Sequence, residues 1–149
     1  MVVERRTPDG KWLVLGFREY QDALHRGAFD RGGEWRVKLR GVDIYDPLTG
    51  EVRSMRGEDV AAWFLDTDYD GKTFHICQAF FPGDPDAWDK LQRALKAQIA
   101  PEAFAQMRGT VSFPFEPGEH RRIAVKVIDF RGNEVVRVIP LPRGAPYAS

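Results

Sequence analysis

The densest run of chemistry-bearing side chains is Asp66-Thr-Asp-Tyr-Asp-Gly71. Carboxylates at its first, third and fifth positions and glycine at the sixth open like a calcium loop. A helix–loop–helix calcium site also needs a bidentate glutamate at position twelve, where this chain has Cys77, and helical flanks, where it reads as strands. The plainer reading is a turn with solvated carboxylates, since Asp70-Gly71 is a strong two-residue hairpin signal. His75 and Cys77 fall on one side of a strand and a Cys–His pair can make a thiolate nucleophile. No third, orienting group is legible, and a lone cysteine in an apolar strand is ordinarily inert core. Asp70-Gly-Lys72 and Asp9-Gly-Lys11 set a carboxylate beside a lysine, as metal-dependent nucleases do, but both are also ordinary turn sequences. Three scattered histidines and one cysteine show no zinc spacing. There is no phosphate loop, dinucleotide fingerprint or nucleophile elbow.

Two basic sets remain. Arg36, Lys38 and Arg40 alternate with Trp35, Val37 and Leu39, so they occupy the outward face of a strand. Arg121, Arg122, Lys126, Arg131, Arg137 and Arg143 gather near the C-terminus. Strand cations often only solvate a face. On adjoining strands they would grip a phosphate backbone, positioning nucleic acid without reading its sequence.

The elements that must carry these residues follow from periodicity. Residues 11–17 read as a short strand, Arg18–Arg26 as a short helix and Asp30–Glu34 as a loop. Trp35–Tyr45 reads as one strand bulged at Gly41, where the apolar phase shifts by one residue. A turn at Asp46–Gly50 follows. Asp59–Asp66 and Thr73–Phe81 are apolar enough to form the middle of a sheet. Asp84 and Pro85 start a helix to about residue 99, with Trp88, Leu91, Leu95 and Ile99 on one face. Pro101 ends it and opens a second short helix carrying Phe104 and Met107. Arg121–Phe130 and Glu134–Leu141 form a hairpin about Arg131-Gly132-Asn133. The expected fold is α+β: a mostly antiparallel sheet of about five or six strands with one main helix on a face. No domain boundary is visible in residues 1–149. Residues 1–40 form an N-terminal part, 41–141 a core and 142–149 a tail.

The chain has 149 residues, 43% apolar and 30% charged, with 22 basic against 22 acidic side chains. That suits one globular domain and excludes disordered, fibrous and repeat classes. Its longest apolar runs are far short of a membrane span, and its first residues lack the apolar core of a signal peptide. One cysteine makes no internal disulfide, which points to a reducing, cytoplasmic setting. The zero net charge is a cancellation. Residues 61–90 hold six acidic and two basic side chains, and residues 121–149 hold six basic and two acidic. DNA should therefore meet the C-terminal strands and the Arg36–Arg40 row, with the Asp66–Asp70 turn facing away.

Four stretches, in order, are Gly41-Val-Asp-Ile-Tyr-Asp-Pro-Leu-Thr-Gly-Glu-Val-Arg-Ser54, Ala62-Trp-Phe-Leu-Asp-Thr-Asp-Tyr-Asp-Gly-Lys-Thr-Phe-His75, Leu91-Gln-Arg-Ala-Leu-Lys-Ala-Gln-Ile99 and Ile123-Ala-Val-Lys-Val-Ile-Asp-Phe-Arg-Gly-Asn-Glu-Val135. Together they resemble the C-terminal segment of adenine-specific DNA methyltransferases, the modification subunits of type III-like restriction–modification systems. The resemblance covers about two-thirds of the chain, residues 41–139. It implies a partner that transfers a methyl group from S-adenosylmethionine to adenine N6. That chemistry uses an Asn/Asp-Pro-Pro-Tyr/Phe motif and a Phe-x-Gly-x-Gly cofactor loop, and neither occurs here. Asp46-Pro47-Leu48-Thr49 begins like the first but lacks its second proline and the aromatic that would stack on a flipped adenine. No catalytic, cofactor or metal residue is carried over.

The expectation is a non-catalytic accessory domain, separately encoded or cut from a longer protein. It would have no cofactor and would position DNA or dock a methyltransferase core or helicase–nuclease subunit. The nucleic-acid contacts would be Arg36, Lys38, Arg40, Arg121, Arg122, Lys126 and Arg137. The competing expectation is a small metal-dependent nuclease using Asp66, Asp68 or Asp70 with Lys72.

Overall fold

The computed structural model describes residues 2–6, 10–15, 34–95 and 106–141. Their regular secondary structure is mostly antiparallel sheet. A three-stranded sheet has the order β2-β1-β3, from β1 (Val2–Arg6), β2 (Trp12–Leu15) and β3 (Trp35–Lys38). A two-stranded sheet pairs β4 (Gly41–Asp46) with β5 (Glu51–Arg56). A four-stranded sheet has the order β7-β6-β8-β9, from β6 (Ala62–Asp66), β7 (Gln78–Phe80), β8 (Arg122–Ile128) and β9 (Glu134–Pro140). The expected single sheet of five or six strands is thus, among the described residues, three sheets, each antiparallel.

The Trp35–Tyr45 run is two strands, not one bulged strand. The chain changes partners at the break: Leu39 N–H donates to Thr110 O at 2.7 Å, and Arg40 O accepts from Gly57 N–H at 2.9 Å. The phase shift read at Gly41 is real, because Trp35, Val37 and Leu39 are buried before it and Ile44 after it. At Gly57 the approach is so close that an added Cβ would lie 1.7 Å from Leu39 O.

Thr110–Phe115 forms a strap along β3. Trp35 and Phe115 exchange backbone hydrogen bonds of 2.8 and 2.9 Å, and the buried Ser112 hydroxyl accepts from Val37 N–H at 2.8 Å. On its other side the Gln78 side-chain amide stands in for a strand: Oε1 accepts from Phe113 N–H at 2.9 Å and Nε2 donates to Phe113 O at 3.3 Å. The strap thereby joins the three-stranded sheet to edge strand β7. One apolar core runs through all three sheets, including Trp35, Val37, Ile44, Trp63, Phe80 and Val125. Trp63 stacks on Phe80 with ring centroids 4.1 Å apart.

Strand β6 is central, as expected, but β7 is at the edge and is shorter than the strand read over Thr73–Phe81. Asp66 and Asp70 carboxylates take the N–H groups of Thr73 and His75 that a ladder would have used. Helix α1 (Pro85–Leu95) starts as its sequence requires, with the Asp84 carboxylate accepting from Ala87 N–H at 3.0 Å. Trp88 is buried. The helix expected at Arg18–Arg26, residues 96–99 of the main helix, most of the second short helix and the tail from 142 lie outside the described residues. Among the described residues no helix is long and apolar enough to cross a membrane.

Candidate functional site

The calcium-like run places its carboxylates in the loop between β6 and β7, and each is engaged by neighbouring backbone. Buried Asp66 accepts from Asp68 N–H at 3.0 Å and His75 N–H at 2.9 Å. Asp68 accepts from His120 N–H at 2.8 Å and lies 3.1 Å from its ring Nδ1. Asp70 accepts from Lys72 and Thr73 N–H at 2.7 and 2.9 Å. These donors favour the ionised form: the His120 N–H holds Asp68, and the Thr73 and Lys72 N–H groups hold Asp70, below the usual carboxylate range. Among the described residues no three histidine, cysteine or acidic side chains converge on a metal position. The geometry thus gives the nuclease reading no support.

His75 and Cys77 lie in this loop rather than on a strand, and Cys77 is exposed rather than core. The group between them is Asp66, with Oδ1 3.9 Å from Cys77 Sγ and Oδ2 4.0 Å from His75 Nδ1. Sequence gave no hint of that neighbour because it comes from the opposite side of the loop.

The acidic loop does not face away from the basic C-terminal strands. It packs on the start of β8, where Tyr69 N–H donates to Arg122 O at 2.9 Å and Arg122 Nε donates to Tyr69 O at 3.3 Å. Arg121, beside it, takes a positive φ of 52°. Lys126 lies over the Phe74 ring at 5.0 Å. Arg131 is bonded to buried Asp46 at 3.0 Å, which ties the β8–β9 turn to the β4–β5 hairpin. Arg143 lies outside the described residues.

Arg36 and Lys38 are not a free outward row either. Glu4, 2% exposed, forms ion pairs with both, to Lys38 Nζ at 3.3 Å and to Arg36 Nε. Arg36 also lies over Trp12, 4.2 Å from the ring centroid. Burial opposes ionisation of Glu4, but the hydrogen bonds and charges of Arg36 and Lys38 outweigh it, so its pKa falls below the ordinary value. A carboxylate from β1 thus engages both cations of the face that alternation assigned to solvent, offsetting one of their two charges.

Arg40 and Arg137 are placed differently. Both are exposed, and neither side chain has an ion pair or hydrogen bond among the described residues. They come from the two separate basic sets, yet they line one open groove of about 640 Å³ between the base of the β4–β5 hairpin and β9. Arg56 is a third cation on its wall, shared with Asp59 at 2.8 Å and Glu58 at 3.3 Å. Val42, Met55, Val138 and Ile139 supply apolar surface. Asp43, the groove's one carboxylate among the described residues, accepts from Ser54 Oγ at 2.6 Å. Arg56 escaped notice in the sequence because β5, a mostly exposed strand, carried no apolar signal.

No family model matches the chain, and neither a curated protein nor a solved structure does.

Proposed function

We propose that this chain is a non-catalytic accessory domain of a DNA adenine methyltransferase system, working in the reducing cytoplasm. It holds the assembly in place, by positioning DNA or docking a partner subunit, through the Arg40–Arg137 groove. In this reading helix α1 completes an α+β fold by covering one sheet face through Trp88.

The observation that carries the proposal is the convergence of Arg40 and Arg137 on one groove, with no acidic partner of their own among the described residues. The ordered resemblance over residues 41–139, without the family's catalytic motifs, supplies the context. A pair of free guanidinium groups over an open groove suits a polyanionic surface, which they hold without reading sequence.

The test is binding of the methyltransferase core, with and without duplex DNA, by the wild type and by R40E/R137E. The variant should lose about tenfold or more in affinity for whichever component the groove holds. Were the groove to hold DNA through two phosphates, wild-type affinity should fall about tenfold between 50 and 200 mM salt. Unchanged binding of both components by the variant rejects the proposal.

A further inference from the structure

The groove lies along Arg137–Ile139, on the edge of β9 away from β8. Arg137, Val138 and Ile139 are consecutive, so their side chains alternate between the two sheet faces, yet all three line it. Among the described residues only β8 is paired with β9. Val136 and Val138 on this strand are 41% and 47% exposed. An open, apolar edge strand of this kind is a template for another strand. The opposite wall is the ladder at the hairpin base, where Val42 faces Met55 and Gly41 faces Arg56.

We propose that the groove takes an extended acidic segment of a protein partner, added as a further strand beside Val136–Ile139 on the edge of β9 away from β8. The peptide groups of that segment would pair with the β9 edge. Alternate side chains would then reach the apolar surface of Val42 and Met55, and the intervening acidic ones Arg40 and Arg137. Opposite charges across a strand pair stabilise it, whereas like charges oppose it. That rule also disfavours antiparallel self-pairing of β9 centred on Arg137, which sets two guanidinium groups face to face. Among the described residues no aromatic side chain lines the groove, so they offer a single-stranded nucleic acid no stacking platform there. The inference rests on the accessory-domain reading and names the partner element that the groove holds.

The experiment uses the full chain and four fluorescent probes. They are an eight-residue peptide alternating glutamate with valine, its lysine–valine counterpart, the acidic peptide N-methylated at alternate residues, and an oligothymidine. The acidic peptide should bind, and R137E should weaken it about tenfold or more, with R40E weakening it as well. N-methylation keeps every charge but removes ladder donors, so it should weaken binding about tenfold or more, a change that charge attraction alone would not produce. Equal binding of the methylated peptide overturns strand addition. Binding of oligothymidine without the acidic peptide also overturns it, while leaving the accessory reading in place. No binding of any probe, together with intact methyltransferase and DNA binding by R40E/R137E, removes both.

Discussion

Glu4 and Arg36 stand directly opposite one another in the β1–β3 ladder and form an ion pair beneath the surface, with Glu4 only 2% and Arg36 22% exposed. Lys38 closes on the same carboxylate from the other side. Two of the cations that look most available in the sequence are therefore part of the framework that holds β1 in place.

Replacing Glu4 by glutamine leaves two half-buried cations without their counter-charge. At pH 7 the E4Q variant should melt about 5 °C or more below the wild type. The sign of the pH dependence follows from the depressed pKa of Glu4. Its contribution is complete above the ordinary value of 4.5 and is lost as pH falls from there through the lower folded value. Melting curves of both proteins from pH 7 down to about 3 should converge at the acid end. A gap that stays constant with pH would show that the glutamine harms packing rather than charge.

Gly57 has no room for a side chain, since a Cβ there would lie 1.7 Å from Leu39 O and 2.8 Å from Leu39 C, both backbone atoms. The G57A variant should lose roughly 3 kcal/mol, read as a Tm about 6–12 °C lower. G41A is the control, because its added methyl meets only Met55 O at 3.4 Å. Equal losses in the two variants would contradict the close approach.

The Asp66 carboxylate organises its loop through two backbone N–H groups. D66N replaces one acceptor oxygen by a donor beside the N–H groups of Asp68 and His75, and should cost about 1–3 kcal/mol in urea unfolding with the slope unchanged. Millimolar calcium, magnesium or manganese should leave the wild-type Tm within about 1 °C of its metal-free value. A metal-induced rise that D68N abolishes would return the loop to the list of cation sites.

Local chemistry was readable without the fold. Asp84 and Pro85 announce the start of α1, and Asp46, Gly50 and Gly132 announce their turns, because caps and turns depend on residues within a few positions of one another. Gly50 and Gly132 take φ of 73° and 83°, and Asp129 accepts from Arg131 and Asn133 N–H groups at 2.9 and 2.8 Å. Alternation in Trp35–Leu39 likewise identified the buried face of β3. Strands β1 and β5 were not read, since five residues at the chain start and a mostly exposed hairpin arm give little periodic signal.

What the tertiary structure decided was which charges are spent. The sequence determined that basic residues stand in two sets and that a cluster of aspartates precedes β7. Only the folded chain set Glu4 under Arg36 and Lys38, Asp46 against Arg131 and the acidic loop against Arg122, leaving Arg40 and Arg137 to share a groove. Periodicity reports the face on which a side chain leaves its own strand. The charge that meets it comes from another strand, and that pairing is fixed by contacts distant in sequence.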